Sequence, residues 1–304
     1  MPSFGDTNHS NNTLASLKKK LKSIRPYWEL MRFHKPIGIW LLLWPTWWGL
    51  WLSAEGLPDF SIWVIFTLGV VVTRAAGCVI NDIADRRFDR QVARTHQRPL
   101  AAGVLTLRQA KITLIILSSL ALLLVLLTNL LTLYLSFLAA GMACLYPFMK
   151  RYTHLPQVVL GAAFSMSIPM AFAAQTGEVP ALVILVYLTN LLWTVVYDTY
   201  YGMVDLEDDK KIGVKSTAIL FEGSEAFITG SIQAVVLIGL LLTGQRFGLH
   251  WPYFFAVAVA SSLMIYHQIL LRQGRRQSYF KAFENNHWIG AVIFLGIALN
   301  TMLD

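Results

Sequence analysis

Residues 62–89 read Ile62-Trp63-Val64-Ile65-Phe66-Thr67-Leu68-Gly69-Val70-Val71-Val72-Thr73-Arg74-Ala75-Ala76-Gly77-Cys78-Val79-Ile80-Asn81-Asp82-Ile83-Ala84-Asp85-Arg86-Arg87-Phe88-Asp89. From Ile62 to Ile80 the only charge is Arg74. At ~1.5 Å per helical residue, a run of this length crosses the ~30 Å hydrocarbon core of a bilayer. Its apolar residues do not alternate with polar ones, so the run is a membrane helix and not a barrel strand. It then ends abruptly in three Asp residues and a pair of Arg. Carboxylates next to lipid are costly and mark function by default.

A second cluster has the same character: Asp198-Thr199-Tyr200-Tyr201-Gly202-Met203-Val204-Asp205-Leu206-Glu207-Asp208-Asp209. Eight of the 17 acids of the chain fall in these two short stretches. The whole sequence, 304 residues, is 56% hydrophobic and only 14% charged. Its mean hydropathy is +0.54. A soluble domain is nearer a quarter charged. The expectation is an all-α polytopic membrane protein. About nine spans are read, at roughly 36–53, 62–82, 110–128, 131–149, 157–175, 181–203, 226–244, 251–271 and 286–303.

Charge placement orients this map. With the N-terminus inside, the inner segments hold 23 of the 25 Lys and Arg; the others are Arg246, outside, and Arg74, within a span. The outer loops carry Glu55, Asp59 and Glu178 instead. The bias predicts an N-in, C-out topology. The net charge of +8 is then a topology signal, and nucleic-acid binding is not needed to explain it. Residues 1–30 form a polar, then basic, tail with Lys18, Lys19, Lys20, Lys22 and Arg25, suited to anionic lipid. No cleavable signal peptide is expected, because the apolar run starts too late and is too long. Residues 31–304 are expected to form one domain. Cys78 and Cys144 both fall inside spans and imply no disulfide, and the seven His show no zinc or haem spacing.

On a helix, Asn81, Asp85, Asp89 and Asp82 fall within about 100° of one another. Asp198, Asp205 and Asp209 fall within about 40° if one helix runs through them. Glu207 points away. Stacked carboxylates repel one another, and a divalent cation removes that cost. Mg²⁺ prefers such hard oxygen ligands and commonly bridges them to phosphate oxygens. Ion pairing with neighbouring Arg and Lys is the plainer alternative. Around the acids lie Arg86, Arg87, Arg90, Arg94, Arg98, Lys150, Arg151, Lys210, Lys211 and Lys215. Such cations stabilise the charge of a departing diphosphate. Arg98 and Arg151 stand out, because His96-Gln97-Arg98-Pro99-Leu100 and Lys150-Arg151-Tyr152-Thr153-His154-Leu155-Pro156-Gln157 are distinctive. Arg74, a cation inside a span, is a site for an organic acid or a partner for an Asp.

Together these stretches resemble the UbiA superfamily of intramembrane aromatic prenyltransferases. Within it they resemble the branch that prenylates 4-hydroxybenzoate for ubiquinone. The likeness runs from His34-Lys35-Pro36-Ile37-Gly38 to the last span. It rests on residues 74–89, on the Lys150-to-Gln157 segment, on Tyr197-Asp198-Thr199 leading into Asp205, and on Lys211-Ile212-Gly213-Val214-Lys215-Ser216-Thr217-Ala218. Gly202 stands where the family more often has Ala, and Glu207 also departs from the commoner pattern.

The resemblance implies Mg²⁺ held by Asn81, Asp85, Asp89, Asp205 and Asp209, with Asp82 and Asp198 in support. It implies a polyprenyl diphosphate donor held by Arg86, Arg98, Lys150 and Arg151, and 4-hydroxybenzoate as acceptor, its carboxylate on Arg74. Asp85, Asp89, Asp205, Asp209 and Arg151 would carry the chemistry, at the cytoplasmic face of a bacterial inner membrane. No obligatory protein partner is expected. A naphthoate- or haem-prenylating relative is the near alternative; the sequences around Arg151 and Asp198 argue against it. A transporter with an acidic cation site is the distant one. Its acids would sit near the midplane, whereas these lie at the inner ends of spans. A diphosphate-lipid binder without chemistry is a third.

Overall fold

The computed structural model describes residues 24–92 and 94–300. The expected basic tail before residue 24 lies outside the described residues. All regular structure among the described residues is helical. The helices are α1 Ile37–Ala54, α2 Phe60–Asp89, α3 Leu107–Val125, α4 Leu130–Met149, α5 Pro156–Ser165, α6 Ser167–Thr176, α7 Val183–Val204, α8 Leu206–Ile212, α9 Thr217–Leu220, α10 Glu225–Arg246, α11 Trp251–Leu271 and α12 Arg276–Asn300.

Among the described residues seven helical stretches are long and apolar enough to cross a membrane, counting the consecutive α5 and α6 as one. The Trp-rich α1 and the partly polar α12 lie beside them. The long helices close into a ring. α1 packs on α2 and α12, α2 on α3 and α4, and α4 on α5; α7 packs on α5, α10 and α12, and α11 joins α10 to α12. The outer surface is apolar: Ile115, Leu123, Leu127, Phe137, Leu138, Ile238, Phe255 and Ile265 are all exposed. In water so much apolar surface would drive association; in lipid it is the solvated face.

Three element boundaries differ from the hydropathy reading. The fifth span is two helices with a break at Met166. Pro169 lacks an N–H, and its ring opposes the Ser165 carbonyl, so the helix cannot run straight through. α12 begins ten residues before the expected 286, because its first turns carry Arg276, Lys281, Glu284 and Asn285, which an apolar scan discards. α2 likewise runs on to Asp89. Arg86 and Arg87 in its last turn suit the negative end of the helix dipole. The short turn between α3 and α4 is closed by Asn129, whose side chain accepts from Thr132 N at 2.9 Å.

The main core joins α1, α6, α7, α10, α11 and α12 through residues such as Trp48, Trp193, Tyr197, Tyr253 and Ile293. Trp48 and Trp193 stack at 5.4 Å, and their indole N–H groups donate to Gly290 O and Asn286 Oδ1. Buried polar atoms in a bundle need such partners, and here they also fix which helix faces which.

Candidate active site

The two acidic motifs meet. A cavity of ≈ 140 Å³ is lined by Asn81, Asp85 and Asp89 from α2, and by Asp198, Asp205 and Asp209 from α7 and α8. Arg94, Arg98, Lys150 and Lys215 also line it, with Tyr146, Gln157 and Tyr201.

The first motif stays on one helix, as the spacing implied. Asp82, Asp85 and Asp89 are all buried. Asp82 does not line the cavity. It is gripped by Arg32, with Nη2 to Oδ1 at 2.6 Å and Nη1 to Oδ2 at 3.1 Å, and by Arg98 Nη1 at 3.2 Å. Arg98 Nη1 reaches both oxygens of Asp89, at 3.0 and 2.8 Å. Lys150 Nζ pairs with Asp85 Oδ2 at 2.5 Å. The other oxygen of Asp85 is buried with no partner.

The second motif is not a single helical face, which corrects the sequence arithmetic. α7 ends at Val204, and Asp205 takes φ −106° and ψ 6°, outside helical geometry. Asp209 N then donates to Asp205 O at 2.8 Å, starting α8 in a new direction. Asp198 therefore sits within α7, Asp205 at the corner and Asp209 one turn into α8. Glu207 points into solvent with its side chain 76% exposed, as expected.

Asp205 is the most heavily partnered acid. Arg94 Nε lies 2.9 and 3.0 Å from its two oxygens, and Arg94 Nη2 also donates to Oδ2. Arg276 Nη2 reaches Oδ1 at 3.1 Å. Burial pushes the Asp205 carboxyl up, but the bonds and charges of Arg94 and then Arg276 outweigh it and hold it below the usual range. Asp209 goes the other way. Burial, and next the negative charge of Asp205, push its carboxyl up to about 7.

Among the described residues no three acids converge tightly enough to form a finished metal cluster. The donor set nonetheless suits a hard cation. It consists of carboxylate and amide oxygens around one cavity, one of them orphaned, with Lys and Arg standing against the acids where an ion's charge would otherwise act.

Not every residue singled out in the sequence reaches the cavity. Arg151 is exposed, donates to Ala84 O at 2.8 Å and lies over Phe88 at 5.4 Å. Arg86 does not line the cavity, and its Nε is buried without a partner. Arg74 does not line it either. Its Nη1 lies 2.7 Å from Cys78 Sγ, its Nε is buried and unpartnered, and its charge is felt by Asp198 and Tyr146 on the wall. Arg94, Tyr201, Tyr146, Gln157, Arg32 and Arg276 are functional neighbours that the sequence reading did not select. Arg94 was one of a run of arginines, and only its reach to Asp205 distinguishes it.

Residues 42–292 match the UbiA prenyltransferase family. A protein of Saccharophagus degradans named 4-hydroxybenzoate octaprenyltransferase is 52% identical over 277 residues, 91% of this chain and 93% of that protein. The apo structure of a UbiA homolog from Aeropyrum pernix K1 aligns with a TM-score of 0.77 at 26% identity, over 86% of this chain and 97% of the other. A UbiA homolog from Archaeoglobus fulgidus bound to GPP and Mg²⁺ shares the fold, with a TM-score of 0.64 at 17% identity over 90% of this chain and 99% of the other.

Proposed function

Since the chain belongs to the UbiA prenyltransferase family, we propose that it moves a polyprenyl group from polyprenyl diphosphate to 4-hydroxybenzoate, at the ring carbon ortho to the hydroxyl. The products are 3-polyprenyl-4-hydroxybenzoate and diphosphate, and the step belongs to ubiquinone biosynthesis. The observation that carries this is the meeting of both acidic motifs and several cations in one cavity at the ends of α2 and α7. The 52% identity to a relative named for that acceptor supports the choice of substrate.

Asn81, Asp85 and Asp89 on one side, and Asp205 and Asp209 on the other, would hold Mg²⁺. Bound there, it neutralises diphosphate charge as the allylic C–O bond breaks. Arg98 and Lys150 face the same space and hold diphosphate oxygens, and Arg94 is placed to join them. Arg86 and Arg151 flank the site without lining it. Asp82 and Asp198 support: Asp82 orients Arg98, and Asp198 forms part of the wall. Tyr146 and Tyr201 line the same cavity, where an aromatic ring can stabilise a developing cation. The ring carbon attacks the allylic carbon as the C–O electron pair leaves with diphosphate. The ring proton then passes to a cavity carboxylate or to the diphosphate. Arg74 holds the carboxylate of the acceptor.

We assign nine spans by adding α1 and α12 to the seven apolar ones, with the N-terminus inside and the C-terminus outside. The cavity then opens on the cytoplasmic face of a bacterial inner membrane, the side that carries the Lys and Arg excess. The test is transfer of label from radioactive 4-hydroxybenzoate into lipid, with donors of several chain lengths and with Mg²⁺ or EDTA. Transfer that needs Mg²⁺ and is lost in Asp85→Ala and Asp205→Ala is the expected result. Folded protein that labels no lipid with any donor would refute the assignment.

A further inference from the structure

We infer that Gly38 is a specificity-determining position: its missing side chain makes the notch that aims the Arg74 guanidinium at an aromatic acceptor's carboxylate. The inference rests on the reading of Arg74 given above. Gly38 is buried in the first turn of α1, and Arg74 comes from the middle of α2. A Cβ on Gly38 would lie 2.3 Å from Arg74 Nε, 2.4 Å from Nη2 and 2.7 Å from Cζ. The missing methyl would stand in the plane of the guanidinium, at the mouth of its Nε–Nη2 edge, so that edge faces the backbone of α1, in space that any other residue would fill.

The setting of this cation is unlike that of the partly buried arginines that grip carboxylates, though Arg86 shares its orphaned Nε. Arg32, Arg94 and Arg98 each grip a carboxylate. Among the described residues the single hydrogen-bonding partner of Arg74 is the thiol of Cys78, at 2.7 Å. Its Nε has none. It also rests against the positive end of an 18-residue helix that has no acid in its first turn and no side-chain cap. A cation there is opposed by the helix dipole. An arrangement with an unpaired buried guanidinium is expensive unless something anionic completes it. Asp198 feels the charge of Arg74 but makes no hydrogen bond to it. That leaves the Nη1–Nη2 side of the cation for a small anion next to the wall of the cavity. A planar carboxylate matches a guanidinium with two parallel bonds, and an amide of the same shape does not.

The atom an added methyl would strike is the mobile end of a long side chain, so Gly38→Ala displaces the guanidinium without unfolding the helix. Ala is also the better helix former. The experiment compares 4-hydroxybenzoate with 4-hydroxybenzamide as acceptors, using wild type, Gly38→Ala, Arg74→Ala and the double variant Gly38→Ala/Arg74→Lys. Wild type is expected to prefer the acid by about tenfold or more. Gly38→Ala should raise the KM for the acid by about tenfold while leaving the KM for polyprenyl diphosphate within about twofold. It should also erase the preference for acid over amide. In the double variant the slimmer ammonium clears the methyl, and part of the preference should return. If Arg74→Ala erases the preference but Gly38→Ala keeps it, the role of Gly38 is overturned and the reading of Arg74 stands. If Arg74→Ala keeps the preference, the reading of Arg74 falls, and this inference with it. A general loss of packing would raise both KM values together and would also overturn it.

Discussion

The first acidic motif lies along one unbroken helix; the second turns a corner. On α2 the acids are spaced by the helical repeat and held by buried ion pairs, and two of the three reach the cavity. On α7 and α8 the chain leaves helical geometry at Asp205, and the acids are placed by the corner and by the arginines around it. Two motifs that look alike as strings thus hold their carboxylates by different means. The first depends on buried pairs that fix a helix face, and the second on a surface-accessible clamp that holds a bend.

The largest effect that tests this contrast is at Asp82. Asp82→Asn leaves Arg32 without its counter-charge in a buried site, while Arg98 keeps only Asp89. Breaking such pairs should cost on the order of 3 kcal/mol, read as a drop in thermal unfolding temperature in detergent. Arg94→Ala should cost less, about 1–2 kcal/mol, because Arg276 still faces Asp205 and is itself 52% exposed. Equal losses in the two variants would break the comparison.

Next comes pH. Asp209 has its pKa raised to about 7, so at pH 6 most Asp209 carboxyls carry a proton that Mg²⁺ must displace. Mg²⁺ affinity, measured by calorimetry, should rise about tenfold from pH 6 to pH 8 and stay flatter in Asp209→Asn. Without the ion the sign for stability is opposite. A carboxyl with a raised folded pKa binds its proton more tightly than the unfolded chain does, so its contribution falls as pH climbs from about 4 to 7. Asp205, held low, contributes stability that is present above the usual carboxylate range and is lost only in stronger acid. The smallest effect is at Gly202, in the last turn of α7. A Cβ there meets Ala218 Cβ at 3.1 Å and Gln157 Nε2 at 3.6 Å. Gly202→Ala should change stability by less than about 1 kcal/mol in an unfolding scan. A larger change would mean that the corner, and not the helix before it, is what the second motif requires.

Much of this was legible in the sequence because lipid makes hydropathy decisive. The apolar runs located most helices, and the i, i+4 repeat placed Asp85 and Asp89 together. What escaped has physical reasons. The start of α12 is polar because it borders the charged end of the bundle, so a scan for apolar residues passes over it. The corner at Asp205 depends on where α8 docks, which no local preference states. Arg32 has φ 60°, a left-handed conformation unusual for a bulky residue, and 50 residues separate it from Asp82. Nothing in the spacing joins those two. Arg94 and Arg98 belong to one short basic stretch, yet one pairs with each motif.

That division of labour between Arg94 and Arg98 has a consequence for traffic. They lie four positions apart on the stretch that follows α2, and one ties down Asp205 while the other ties down Asp89. The stretch behaves as a stitch drawn across the mouth of the cavity. A neutral long-chain alcohol arriving from the lipid offers nothing in exchange for either tie. A diphosphate accompanied by a divalent ion offers both arginines a replacement anion and both acids a replacement cation. On the proposed function, entry would be a swap of partners instead of a rupture, with the headgroup as a key before any bond is broken.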